Sequence, residues 1–115
     1  IVMTVLIIVE SKDLAADFAR ALSVDNTVHT CSDRKVALEQ LKTLRPDALV
    51  IDVRILFEMG PLPYNPKLIL ATTYFVSRTV IEQAVSIGVN EILILPCSLD
   101  YLACRIREML SLAAQ

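Results

Sequence analysis

The stretch Arg45-Pro46-Asp47-Ala48-Leu49-Val50-Ile51-Asp52 decides how this chain folds. Pro46 closes the helix before it, because the residue preceding a proline avoids the helical region. Four apolar residues then run into a carboxylate. A strand that is apolar at every position is one covered on both faces. Three further runs have the same form. Residues 5–9 (Val-Leu-Ile-Ile-Val) end in Glu10, residues 68–71 (Leu-Ile-Leu-Ala) in Thr72-Thr73, and residues 92–95 (Ile-Leu-Ile-Leu) in Pro96. As parallel strands, their carboxyl ends bring Glu10, Asp52 and a threonine to one sheet edge. In open parallel sheets that edge is where ligands bind.

The intervening segments have helical spacing. Ser11 or Asp13 caps a helix with Leu14, Phe18 and Leu22 on its apolar side. Residues 27–31 form a more polar strand, suited to a sheet edge. Ser32 or Asp33 caps a second helix, with Val36, Ala37, Leu38, Leu41 and Leu44 as its stripe. Residues 54–66 are irregular, with Pro61, Pro63 and Pro66, and leave room for one or two helical turns around residues 55–59. Residues 78–87 form a helix with Val80, Ile81, Ala84 and Val85 inward, stopped by Gly88. Ser98 caps a last helix with Leu99, Leu102, Ala103, Ile106, Met109 and Leu110 inward. The expected order is βαβαβ, a short α, then βαβα, which makes a parallel sheet with right-handed crossovers.

Composition bounds the function. A length of 115 residues implies one domain, residues 1–115. The hydrophobic share is 55%, in keeping with a sheet covered on both sides. Met3 reads as the natural start of the chain, behind Ile1-Val2. No apolar run reaches bilayer length, so no membrane association is expected. The run 5–9 is too short, and lacks the basic flank, for a secretory signal. Net charge is −2 with no basic tract, which argues against direct nucleic-acid binding. The three cysteines have no metal-ligand spacing and read as thiols of a reducing cytoplasm. The single histidine, His29, has no nucleophile paired with it in the pattern.

Four stretches together carry a resemblance over essentially the full length: residues 5–10, residues 45–52, the segment Ala84-Val85-Ser86-Ile87-Gly88-Val89, and Leu95-Pro96 before a helix. The chain resembles the CheY-like receiver domains of bacterial two-component response regulators. The resemblance implies a flavodoxin-like, doubly wound five-stranded sheet of order 2-1-3-4-5. It implies a phospho-accepting aspartate at Asp52 and a histidine kinase or phosphotransfer protein as partner. It implies a signalling domain of a phosphorelay, and not an enzyme, with transcription regulation as one output. The chain ends without an output domain, which fits either a piece of a longer regulator or kinase or a free-standing adaptor.

The departures from the family pattern make this an atypical, or pseudo-, receiver. The family has two adjacent acids after the first strand; here only Glu10 remains. The lysine before the proline is Leu95. The aromatic switch residue is Ile92. The hydroxyl residue after the fourth strand is Thr73, counted back from Gly88, or Thr72. The proline four residues after the acceptor is Leu56, and the third helix is shortened.

Phosphoryl transfer to a carboxylate sets negative charge beside negative charge, so catalysis is positioning plus charge compensation. Mg²⁺ supplies compensation but requires several oxygen ligands. Glu10 and Asp52 offer two carboxylates, so metal binding is expected to be weak or absent. Loss of a preorganised electrostatic partner such as the lysine costs about 3–4 kcal/mol of transition-state stabilisation. Arg54, two residues beyond Asp52, is a candidate substitute through an Asp52–Arg54 or Glu10–Arg54 pair. On the last strand and helix, Glu91 and Arg105 occupy positions suited to the pairing of receivers similar to the OmpR family, which implies a homodimer through residues 91–110. Tyr74 and Tyr101 are candidate interface anchors. The rival readings are a phosphate-independent scaffold and a small-molecule flavodoxin-like domain. The second is disfavoured because the loop after residue 9 lacks a Ser/Thr/Gly-rich cradle, and the chain has only two glycines.

Overall fold

The computed structural model describes residues 2–114. Its elements are β1 (Thr4–Ile8), α1 (Lys12–Leu22), β2 (Thr27–Cys31), α2 (Arg34–Leu44), β3 (Ala48–Asp52), α3 (Val53–Met59), β4 (Leu68–Thr73), α4 (Arg78–Ile87), β5 (Glu91–Ile94) and α5 (Leu99–Ala113). The five strands are all parallel and lie in the order β2-β1-β3-β4-β5. This is the doubly wound, flavodoxin-like arrangement expected from the sequence, including the seven-residue third helix.

The two-residue period of a strand divides the apolar runs between two cores. Val5, Ile7, Val50 and Leu70 pack with Phe18 and Leu22 of α1 and with Leu102 and Ile106 of α5. Leu6, Ile8, Leu49 and Ile51 pack on the other face with Ala37 and Leu41 of α2 and with Ile55 and Leu56 of α3. Each fully buried Leu, Ile or Phe side chain contributes roughly 1.5–3 kcal/mol, so continuous apolar runs fix β1 and β3 at the centre.

Polar side chains set the register at the start of the strands. Asp47 accepts from the Thr4 backbone amide at 2.9 Å. It also donates its own amide to the Thr4 carbonyl at 2.8 Å. The Asn90 side chain accepts from the Ile69 amide at 2.8 Å, tying β4 to the entry of β5. The helix caps fall on Ser11, Asp33, Ser77 and Ser98. Arg45 ends α2 in the left-handed region at φ 43°, and Pro46 prevents continuation.

Three expectations are corrected. The third helix begins directly at Val53, not near residue 55, because Asp52 itself serves as its N-cap. The first strand stops at Ile8, although Val9 remains buried. The apolar stripes of α2, α4 and α5 are only partly inward: Val36, Ile81, Val85 and Leu99 are exposed, and Ala84 is the buried residue of α4. The reason for α4 is topological. Its neighbour β5 is a four-residue edge strand, so Ile81 and Val85 line an open groove along that edge with Ile92 and Ile94.

Candidate functional site

Asp52 is the last residue of β3 and the cap of α3, and the two roles share one carboxylate. Its Oδ1 accepts from the backbone amides of Arg54 at 2.8 Å and Ile55 at 3.3 Å. A seven-residue helix has too few internal hydrogen bonds to stand on propensity, so the cap and the buried Ile55 and Leu56 hold it in place. Both cap bonds fall on Oδ1, which leaves Oδ2 for other chemistry. The side chain is 13% exposed.

Beside Asp52 is a cavity of about 390 Å³ at the carboxyl edge. Asp52, Arg54 and Thr73 are its polar lining, and Phe57, Tyr74 and Phe75 are its aromatic walls. Consecutive residues of a strand point to opposite faces, and Thr72 and Thr73 divide accordingly. Thr73 lines the cavity, with its hydroxyl donating to the Phe75 carbonyl at 2.6 Å and accepting from the Phe75 amide at 3.2 Å. Thr72 stands opposite Asp52 in the β3–β4 register but is 1% exposed. Among the described residues its Oγ1 has no hydrogen-bond partner.

The cations are distributed differently from the sequence expectation. Arg54 Nε lies 3.7 Å from Asp52 Oδ1, a loose contact, with its side chain 72% exposed. Glu10 is held instead by Arg34, the first residue of α2, whose other amino group binds Glu58 of α3. The hydrogen bond and charge of Arg34 hold the Glu10 carboxyl below its ordinary value, with a smaller contribution from Arg54. In return, Glu10 and Glu58 push the Arg34 guanidinium further up. Arg34 was missed in the sequence because it reads as an ordinary surface residue of a helix start. The available signal was topological: β2 pairs with β1, so a residue just after β2 shares an edge with Glu10.

Leu95, at the lysine position, is 5% exposed and packs in the core with Leu93 and Leu102. Its amide donates to the Thr73 carbonyl at 2.7 Å, which closes the end of β5 onto β4. Hydrocarbon therefore replaces a cation there. The donors also do not fit a divalent ion as arranged. Glu10 is bonded to Arg34 and Asp52 Oδ1 to two amides. Among the described residues no three His, Cys, Asp or Glu side chains gather at one point.

Away from the edge, Arg105 of α5 binds Glu91 of β5 at 2.5 Å and approaches Glu108 at 3.5 Å. Exposed Val85 and Ile94 line a groove with Glu91, exposed Tyr101 lines another with Glu91 and Arg105, and Tyr74 and Phe75 are exposed at the cavity rim. No helix among the described residues is long and apolar enough to cross a membrane. His29 lies within β2 opposite Leu6, away from the cavity lining.

No protein-family model and no curated protein matches the chain. Solved structures do. The response-regulator domain of Thermotoga maritima CheB matches with TM-score 0.76 and 16% identity, over 98% of this chain and 96% of that one. The Vibrio cholerae chemotaxis protein CheY4 matches with TM-score 0.75 and 18% identity, over 94% and 98%. NtrX from Brucella abortus, solved with ATP, matches with TM-score 0.76 and 17% identity over 99% of this chain; the match spans only 28% of NtrX. The chain thus has the fold of CheY-like receiver domains.

Proposed function

We propose that the chain is a receiver-type signalling module of a two-component system, with Asp52 as the phospho-acceptor of a degenerate site. The observation that carries this reading is the position of Asp52. It is the acid that ends the central strand and lines a cavity with a hydroxyl residue, Thr73, keeping Oδ2 uncommitted. In the reaction, Oδ2 attacks the phosphorus of a phosphohistidine on a kinase or phosphotransfer protein. The N–P bond breaks, an O–P bond forms, and the imidazole takes a proton. Thr73 turns its hydroxyl from Phe75 toward the new phosphoryl oxygens. Arg54 is the nearby exposed cation. With leucine at position 95 the reaction is slow.

Output runs through β5 and its flanking helices. Arg105 already satisfies Glu91 within one chain, so pairing through residues 91–110 requires exchange of that ion pair or burial of the apolar residues around it. With a net charge of −2, the chain acts in the cytoplasm through protein partners. A second reading, a phosphate-independent scaffold, is favoured by the tie between Glu10 and Arg34 together with the exposed apolar residues of α4 and β5.

The test is incubation with a small-molecule phosphodonor, followed by intact-mass analysis of the wild type and Asp52→Asn. Slow addition of one phosphoryl group, absent in D52N, is expected. No addition to the wild type over hours, or equal addition to D52N, overturns the reading in favour of the scaffold.

A further inference from the structure

Arg34 sits where helix physics disfavours it. It is the first residue of α2, Lys35 follows, and no acid stands in that first turn. The amino end of a helix carries the positive end of its dipole, so cations are destabilising there. The two ion pairs explain the placement. Nη2 binds Glu10, just after β1, and Nη1 binds Glu58 in the last turn of α3. The planar fork of a guanidinium serves two separate carboxylates at once, which an ammonium on a single point cannot match. One side chain thus links the end of β1, the start of α2 and the short helix that Asp52 caps.

We propose that Arg34 is the positioning residue of the acidic edge: a built-in cation that occupies Glu10 in place of a divalent ion and holds α3 in register over Asp52. This rests on the reading of Glu10 and Asp52 as a receiver-type edge. The perturbed Glu10 carboxyl is in keeping with it. Arg34 holds Oε1 of Glu10 and competes with a divalent ion for that carboxylate, and freeing Arg34 also releases Glu58 and the far end of α3. The edge is therefore set in one arrangement without metal.

The experiment compares the wild type, Arg34→Gln and Glu58→Gln by amide NMR. Arg34 and Glu58 are about half exposed, so the variants fold, which the dispersion of their spectra checks. In a MgCl₂ titration, Arg34→Gln is expected to bind about threefold or more tightly than the wild type, the fold-change of an exposed ion pair. The shifts centre on residues 10 and 52. Amide exchange across residues 53–59 is expected to rise about threefold in both variants. Equal Mg²⁺ affinity in wild type and Arg34→Gln, whether measurable or negligible, overturns the proposal, and so does unchanged exchange across residues 53–59. A wild type that never accepts a phosphoryl group yet shows both changes defeats the reading of Asp52 and supports the role of Arg34.

Discussion

Replacing Asp52 separates its structural duty from its chemistry. Asp52→Ala removes the oxygen that accepts from the amides of Arg54 and Ile55. Loss of an N-cap costs about 1 kcal/mol, within a range of roughly 0.5–2. The helix concerned has seven residues, so the loss falls on an element with little stability of its own. Asp52→Asn keeps an acceptor oxygen at the same place and is expected to cost only a few tenths of a kcal/mol. Unfolding entropy of about 2.1 cal/mol/K per residue converts 1 kcal/mol into about 4 °C of Tm for a chain of this length. Urea and thermal unfolding followed by circular dichroism read both variants, since the chain has no tryptophan. The expected order is wild type, then D52N close behind, then D52A. An Asp52→Ala protein as stable as the wild type would refute the reasoning. It would mean that removing a negative charge from an edge shared with Glu10 outweighs the cap.

Other outcomes follow from the same geometry. Thr72→Val removes a buried hydroxyl that has no partner among the described residues; it is expected to stabilise the fold by about 1–2 kcal/mol in urea unfolding, because an unsatisfied buried polar group carries a desolvation penalty of that order. Leu95→Lys does not restore a receiver lysine, because the side chain at this position points into the core; a loss of about 3 kcal/mol or more is expected, with no faster phosphorylation. Tyr64 donates its hydroxyl to the Pro46 carbonyl at 2.6 Å. Burial pushes its pKa up to about 12, only partly offset by the Arg45 guanidinium. Since this folded value lies above the ordinary 10.0, the associated stability is fully present below pH 10 and is lost as pH rises toward about 12. An ultraviolet titration is expected to lose its latest tyrosinate step in Tyr64→Phe.

What was legible in the sequence was what repeats. The four apolar runs, Pro46, Gly88 and the helix-capping serines each constrain the backbone locally, and together they specify the alternating sheet and its order. The third helix was legible in length but not in start. A residue that both ends a strand and caps a helix gives one signal for two events, and at Asp52 the apolar run before it announces only the strand end. The stripe of α4 failed for a non-local reason: periodicity marks Ile81 and Val85 as one face, but only the sheet order reveals that the face overhangs an edge strand. The candidate site divides in the same way. Asp52, Glu10 and Thr73 follow from strand ends. The partner of Glu10 does not, since Arg34 lies 24 residues away and reaches it only because β2 pairs with β1. Arg54, closer in sequence, was the natural but weaker choice.

The most direct measurement of the central claim is an amide NMR titration with beryllofluoride, an acyl-phosphate mimic, with and without Mg²⁺. Shifts are expected to start at Asp52 and Thr73, to extend to residues 91–110, and to vanish in Asp52→Asn. A spectrum unmoved at residues 52 and 73 at millimolar concentrations would contradict it and leave the chain a phosphate-independent interaction module.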